Sequence, residues 1–194
     1  MADASEITGF WFDEVGPKGW YNATEELDAL IQERFGEMWE RAASGEYCSW
    51  STDPGKCLAL IILLDQFPRN MFRGSGWAFK TDRKAICIAK KAIERNFDMR
   101  VPELQRQFYY LPLMHSESLS DQEYCVRLMK TRMPESGESN LLHAKVHREV
   151  IRKFGRFPYR NQALARETTE RETAYLQAGG YSSTLQSIQA LQAG

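Results

Sequence analysis

Alternating apolar–polar runs, the mark of β-strands, are nearly missing from this chain of 194 residues. Helix signals recur instead, which points to an all-α domain. A long apolar run is missing too. The longest, Leu58 to Leu64, falls far short of the roughly 20 residues that cross a bilayer and reads as a core helix. The start, Met1-Ala2-Asp3-Ala4-Ser5-Glu6, is acidic and has no apolar leader, so a soluble, cytoplasmic protein is expected. No charge of one sign dominates. A formal net charge of −1 argues against nucleic acid as an electrostatic partner, and no lysine-rich run argues for an anionic membrane. The four cysteines, Cys48, Cys57, Cys87 and Cys125, form no C-x-x-C pair. That tells against a zinc knuckle or a thioredoxin-type redox site. Reduced core thiols are expected, with Cys57 and Cys87 inside apolar helical patterns.

What is present is ordinary globular material: 43% apolar and 26% charged residues, too apolar for disorder. Ser5 can cap a short helix carrying Phe10, Trp11 and Phe12. Asn22 and Glu25 resemble a capping box for a helix with Leu27, Leu30, Ile31, Phe35, Met38 and Trp39 on one face, ending near Gly45. Asp53-Pro54 is a helix start, and the helix behind it is apolar on every side, which places it at the centre of the fold. Thr81 or Asp82 caps the next helix. Pro102 opens one with Phe108, Tyr109 and Tyr110. Ser120 with Glu123 forms a further box. A long helix runs from about Ser139 to Phe154 and ends at Gly155. Thr169 with Glu172 opens another, closed by Gly179-Gly180. About eight helices with short loops suggest antiparallel pairs. No linker divides them, so residues 1–180 read as one domain. In the tail, 181–194, Leu185, Ile188 and Leu191 suit a short docked helix.

Two segments echo each other about ninety residues apart: Leu64-Asp65-Gln66-Phe67-Pro68-Arg69-Asn70 and Phe154-Gly155-Arg156-Phe157-Pro158-Tyr159-Arg160-Asn161. Phe packing a turn, Pro forbidding further helix and Asn capping the next element account for much of this. They account less well for the arginines. A coarse helical duplication fits as well.

These segments, with Phe10-Trp11-Phe12, Arg73, Leu111-Pro112-Leu113-Met114-His115-Ser116-Glu117, Asp121-Gln122 and His147, resemble the bacterial family named domain of unknown function 924. The likeness runs from about residue 6 to 177 in order and spacing. It implies a compact tetratricopeptide-like superhelical bundle of antiparallel helix pairs and no particular activity. Tyr159 stands where the family's Phe-Pro-His-Arg-Asn motif is expected to have histidine, a departure that bears on any mechanism needing that imidazole.

Asp65 ends the most apolar helix, facing the negative end of the helix dipole. A buried carboxylate there demands a cation, which Arg69, Arg156, Arg160 or a metal could supply. His147 shares a stripe with Val150, Ile151 and Phe154 and should point inward. His143 lies one turn earlier, but the pair lacks the intervening Glu of a zincin, so no metal site is assigned. Three readings compete. In the first, Asp65, Glu117, His147 and the arginines form a structural ion-pair network. In the second, Arg69, Arg73, Arg156 and Arg160 hold a carboxylate or phosphate, with Gln66, Asn70 and Asn161 reading its polar groups. In the third, His115 and His147 move protons, Asp65 or Glu117 orient them, and the arginines stabilise negative charge. A metal-dependent hydrolase using the same four groups is a version of this reading. A helical groove for a protein partner is a fourth idea, by analogy of fold. The expectation carried forward is a central, arginine-rich pocket for a small anionic metabolite, without a cofactor.

Overall fold

Helix termini mostly follow the chain's capping chemistry, and a buried apolar helix organises the first half. The computed structural model describes residues 3–22 and 24–193. Met1 and Ala2 of the acidic start, and Gly194 of the tail, lie outside the described residues. Among the described residues there is no strand. The helices are α1 (Ala4–Gly9), α2 (Gly16–Gly19), α3 (Glu25–Ser44), α4 (Pro54–Asp65), α5 (Phe67–Met71), α6 (Asp82–Glu94), α7 (Glu103–Met114), α8 (Leu119–Arg132), α9 (Glu138–Phe154), α10 (Glu170–Gln177) and α11 (Gly180–Ala193). Nine of them have six residues or more, so the all-α expectation holds. None among the described residues is long and apolar enough to cross a membrane. Two compact units emerge, Met1–Pro112 and Leu113–Gly194.

In the first unit, every residue of α4 from Cys57 to Asp65 is buried, as a helix without a polar face requires. The Asp53 side chain accepts the Lys56 N–H at 2.9 Å and caps it, and Pro54 occupies its first turn. α1, α3, α5 and α6 all pack on α4. Phe10, Phe35 and Phe67 meet beside it, with ring centroids 4.8–6.0 Å apart. Replacing Asp53→Ala is expected to cost about 1 kcal/mol, the usual loss for an acidic N-cap, measured by urea denaturation.

Several caps differ from expectation. Asp3, not Ser5, caps α1 and accepts the Ser5 N–H. Thr24, not Asn22, caps α3, because Thr24 has the extended backbone an N-cap needs. Ser118 rather than Ser120 precedes α8 in extended geometry. Ser120 already lies inside the helix, and Glu123 turns to Arg148 and Arg152. Thr81 stands at the N-cap of α6 but makes no capping bond; its hydroxyl donates to the Leu64 carbonyl instead. Cys57 and Cys125 are buried, whereas Cys87, expected inside, is exposed. Burial pushes the Cys57 thiol up to about 12, so it stays protonated and inert.

In the second unit α9 packs against both α8 and α11. Val150, Ile151 and Phe157 form one cluster of its core, with Phe154 and Tyr175 against them. Gly155 closes α9 at φ 68°, a left-handed conformation that favours glycine. The capping box of Thr169 and Glu172 is present in both directions. The tail is helical from Gly180 onward. Its buried contact is Thr184, whose hydroxyl meets that of Tyr175 at 3.1 Å, while Leu191 of the expected apolar stripe is 83% exposed.

Candidate functional site

In the first unit the cation that Asp65 requires is Arg69. Asp65 is fully buried, with Arg69 Nη2 3.5 Å from its Oδ1 and the Gln66 amide donating to its Oδ2. Arg69 Nη1 also donates to the Asp65 carbonyl at 3.0 Å and the Ala78 carbonyl at 3.1 Å. Both guanidinium nitrogens reach Asp82, at 3.0 and 3.1 Å. One side chain therefore balances a buried charge and satisfies a carbonyl left open at the end of α4. Arg73 grips Asp28 through two bonds of 2.7 and 2.9 Å, and Asn70 donates to the same carboxylate at 2.8 Å. Burial acts to raise the Asp28 pKa, but the Arg73 and Asn70 hydrogen bonds prevail and hold it below the ordinary value.

The second unit holds the remaining candidate residues, and Phe157 is the shared neighbour of Glu117, His147 and Arg160. Glu117 accepts the Phe157 N–H at 2.9 Å and two bonds from Arg166 at 2.8 and 3.0 Å. Arg166 also donates to the Phe157 carbonyl. Burial works to raise the Glu117 pKa and is outweighed by Arg166, the Phe157 N–H and Arg160, so the group stays ionised. Arg160, itself buried, donates to the His115 carbonyl at 3.0 Å and lies 4.4 Å over the Phe157 ring. Arg156 pairs bidentately with Glu172 at 2.6 and 2.7 Å. That guanidinium pulls Glu172 down to about 2. Asn161 leans on Thr168 and Glu172. The two echoed segments thus do similar work: each has a fully buried Phe, a Pro opening the element that follows, α5 in the first and a short 3-10 turn over Pro158–Arg160 in the second, and an Arg donating to a carbonyl.

His147 edges a cleft of about 450 Å³ formed with Tyr159, Leu176, Gly179, Gly180 and Tyr181. Its Nδ1 lies 2.9 Å from the His143 carbonyl. A carbonyl only accepts, so Nδ1 carries the proton and Nε2 presents a lone pair. Burial, with Arg160, His115 and His143 nearby, lowers the ring to about 3, and the imidazole is neutral. Its ring stands edge-on to Phe157 and Tyr181, with centroids 5.4 and 5.1 Å away. Tyr181 bonds His143 Nδ1. Gly179 and Gly180, at φ 97° and 52°, turn the chain here and leave a wall without side chains.

A larger groove, about 770 Å³, lies among α9, α10 and α11. Phe154, Tyr175, Ile188 and Leu191 give it apolar surface, and Lys145, Arg148, Lys153 and Arg171 give it positive charge. Arg148 pairs with Glu123 at 3.1 Å. Lys145, Lys153 and Arg171 make no ion pair with a described residue, and one carboxylate, Glu149, shares the groove.

Sequence reasoning did not anticipate Asp28, Asp82, Arg166 or Tyr181, whose charged or imidazole partners lie 13–49 residues away. It also passed over the groove cations. Lys145, Arg148 and Lys153 recur along α9 in a pattern that reads as a solvated face.

The family described as "Bacterial protein of unknown function (DUF924)" matches residues 7–180. A solved structure of a protein of unknown function, ATU0120 from Agrobacterium tumefaciens, is similar at a TM-score of 0.84 and 39% identity, over 89% of this chain and 96% of that one. No protein with a curated description matches.

Proposed function

The chain belongs to the bacterial family of unknown function DUF924, and on that premise we propose that its second unit binds a small anionic molecule with an apolar portion, in the groove of α9, α10 and α11. The observation that carries this is the set of unpaired cations. Arg69, Arg73 and Arg156 already grip carboxylates of their own units, so little of their capacity is left for a ligand. Lys145, Lys153 and Arg171 face the groove without a carboxylate partner among the described residues. Like charges around one concavity repel each other, and an entering anion relieves that cost. The apolar surface beside them would cover a hydrocarbon portion, and the volume lies in the range of small-molecule sites. The tetratricopeptide-like stacking implied by the family resemblance is part of the same proposal. It is supported by the short connection, residues 133–137, between the packed helices α8 and α9.

Octanoate, which has both chain and charge, tests the reading. At about a hundred times its Kd it should stabilise the fold by about 2.7 kcal/mol, a rise of about 5–10 °C in melting temperature. Octanol and acetate, each with one of the two features, should leave the melting temperature where it was. The double variant Lys153→Gln, Arg171→Gln should lose most of the rise. The reading is abandoned if no anionic probe stabilises the protein, or if the double variant responds like the parent.

A further inference from the structure

We propose that the His147 cleft is a second, separate binding site, for a small uncharged aromatic molecule bearing an O–H or N–H donor, of which phenol is the simplest representative. It shares no lining residue with the groove of α9, α10 and α11, so either site can exist without the other.

Three observations converge. The first is an acceptor without a donor. His147 Nδ1–H is committed to the His143 carbonyl, which leaves the Nε2 lone pair with no hydrogen-bond partner among the described residues. A half-buried acceptor in a concavity gains most from a ligand that donates to it. The second is the character of the walls. Tyr159 and Tyr181 lie 6.4 Å apart, centroid to centroid, and meet edge to face. Behind them the fully buried Phe157 stacks on Tyr159 at 5.4 Å and meets the imidazole edge-on. The two lining tyrosines offer faces and edges to another ring. The third is electrostatic. Every residue lining the cleft is uncharged when His147 is neutral. The charged and titratable groups acting on that imidazole are Arg160, His115 and His143, none of which lines the cleft, so a cation would have to give up its water without a lining anion to receive it. An anion would have to give up its water without a lining cation to receive it. A neutral ring with one donor meets neither cost, and the bare Gly179-Gly180 backbone leaves it room.

The test uses four probes of one shape on the full chain: phenol, toluene, benzoate and benzylammonium. The readout is the ring resonances of His147 by NMR, with affinity from the titration. Phenol should move the His147 signals in a saturable way. Toluene, which lacks the donor, should bind about tenfold more weakly, the ratio that one lost hydrogen bond produces. Benzoate and benzylammonium should be weaker still. His147→Phe should abolish the preference of phenol over toluene, followed by Tyr181 shifts. His147→Gln, which restores an acceptor, should recover part of it. Both variants should keep the parent's circular dichroism, which separates lost binding from lost fold. The proposal is overturned if phenol leaves His147 unmoved, if toluene or benzoate binds as well as phenol, or if His147→Phe keeps the preference. Octanoate binding in the groove has no bearing on any of these outcomes.

Discussion

Replacing Arg69→Met should destabilise the protein by about 3–5 kcal/mol, the largest single-residue loss expected outside the apolar core. The substitution keeps the aliphatic stem and removes the guanidinium. Asp65 would then remain fully buried at the C-terminal end of α4, where the helix dipole already disfavours negative charge. The carbonyls of Asp65 and Ala78 would lose a donor, and Asp82 would lose both of its bonds to Arg69. The Gln66 amide would still touch Asp65, but a neutral donor does not balance a charge. For a chain of this size the loss corresponds to a fall in melting temperature on the order of 10 °C. The double variant Asp65→Leu, Arg69→Met is the informative partner. Removing both charges removes the buried carboxylate together with the guanidinium that faces it, so it should recover a substantial part of the loss. Urea denaturation of parent, single and double variants gives the comparison. A single variant within about 1 kcal/mol of the parent would show that the pair is not what holds the end of α4.

Asp65 also shows what kind of information the sequence carries. Its demand for a cation comes from local facts: an apolar helix, a carboxylate at its end, and the sign of the dipole. Arg69 lies one turn away, within reach of the same local reasoning. The same holds for the Asp53 cap, the Thr169–Glu172 box and the glycine after Phe154, each decided within a few residues. Arg166 and Tyr181 are different. Arg166 reaches Glu117 across 49 residues and Tyr181 reaches His143 across 38. No periodicity or spacing signals which loop arginine or which tail tyrosine will arrive. The misplaced caps have an intermediate cause. Asn22, Thr24, Ser118 and Ser120 are all competent capping residues, and the choice among neighbours rests on which one takes extended backbone.

The groove inverts the usual reading of charge. Lys145, Arg148 and Lys153 on α9 match the pattern of an exposed helix face, and so attract no attention in the sequence. Only when α10 brings Arg171 beside Phe154, 5.4 Å from guanidinium to ring centroid, and α11 supplies Ile188 and Leu191, does the face become one wall of a concavity. The four arginines that the sequence made conspicuous hold loops and helix ends together. Arg69 and Arg156 each join a carboxylate and a carbonyl, which is the use of a planar fork with several donors that a lysine could not reproduce.

Acid should destabilise the second unit well before its carboxylates titrate, and His147 should be the main cause. The unfolded imidazole has its ordinary value of 6.5, and burial lowers the folded one to about 3. Between those values the unfolded state binds a proton that the folded state refuses, so stability falls as pH falls, by up to about 1.4 kcal/mol per pH unit. The cleft leaves part of the ring open to water, so a total of about 2–3 kcal/mol is the realistic loss. His143 is also lowered by burial and adds to the slope with the same sign. Glu117 and Glu172 are held below their ordinary 4.5 by arginines, and their contributions drain away only in more acidic solution. The interval between about pH 6.5 and 4.5 therefore isolates the imidazoles. His147→Phe keeps an aromatic ring against Phe157 and Tyr181 and removes the titration. Near neutral pH it should lie about 1 kcal/mol below the parent, through loss of the bond to the His143 carbonyl. Because its curve is flatter, the deficit should shrink as acid is added and reverse by about pH 4. His143→Gln separates the smaller contribution of the neighbouring ring. Urea denaturation across this range decides the matter: parallel curves for parent and His147→Phe would mean that the imidazole takes up its proton in the folded state as freely as in water.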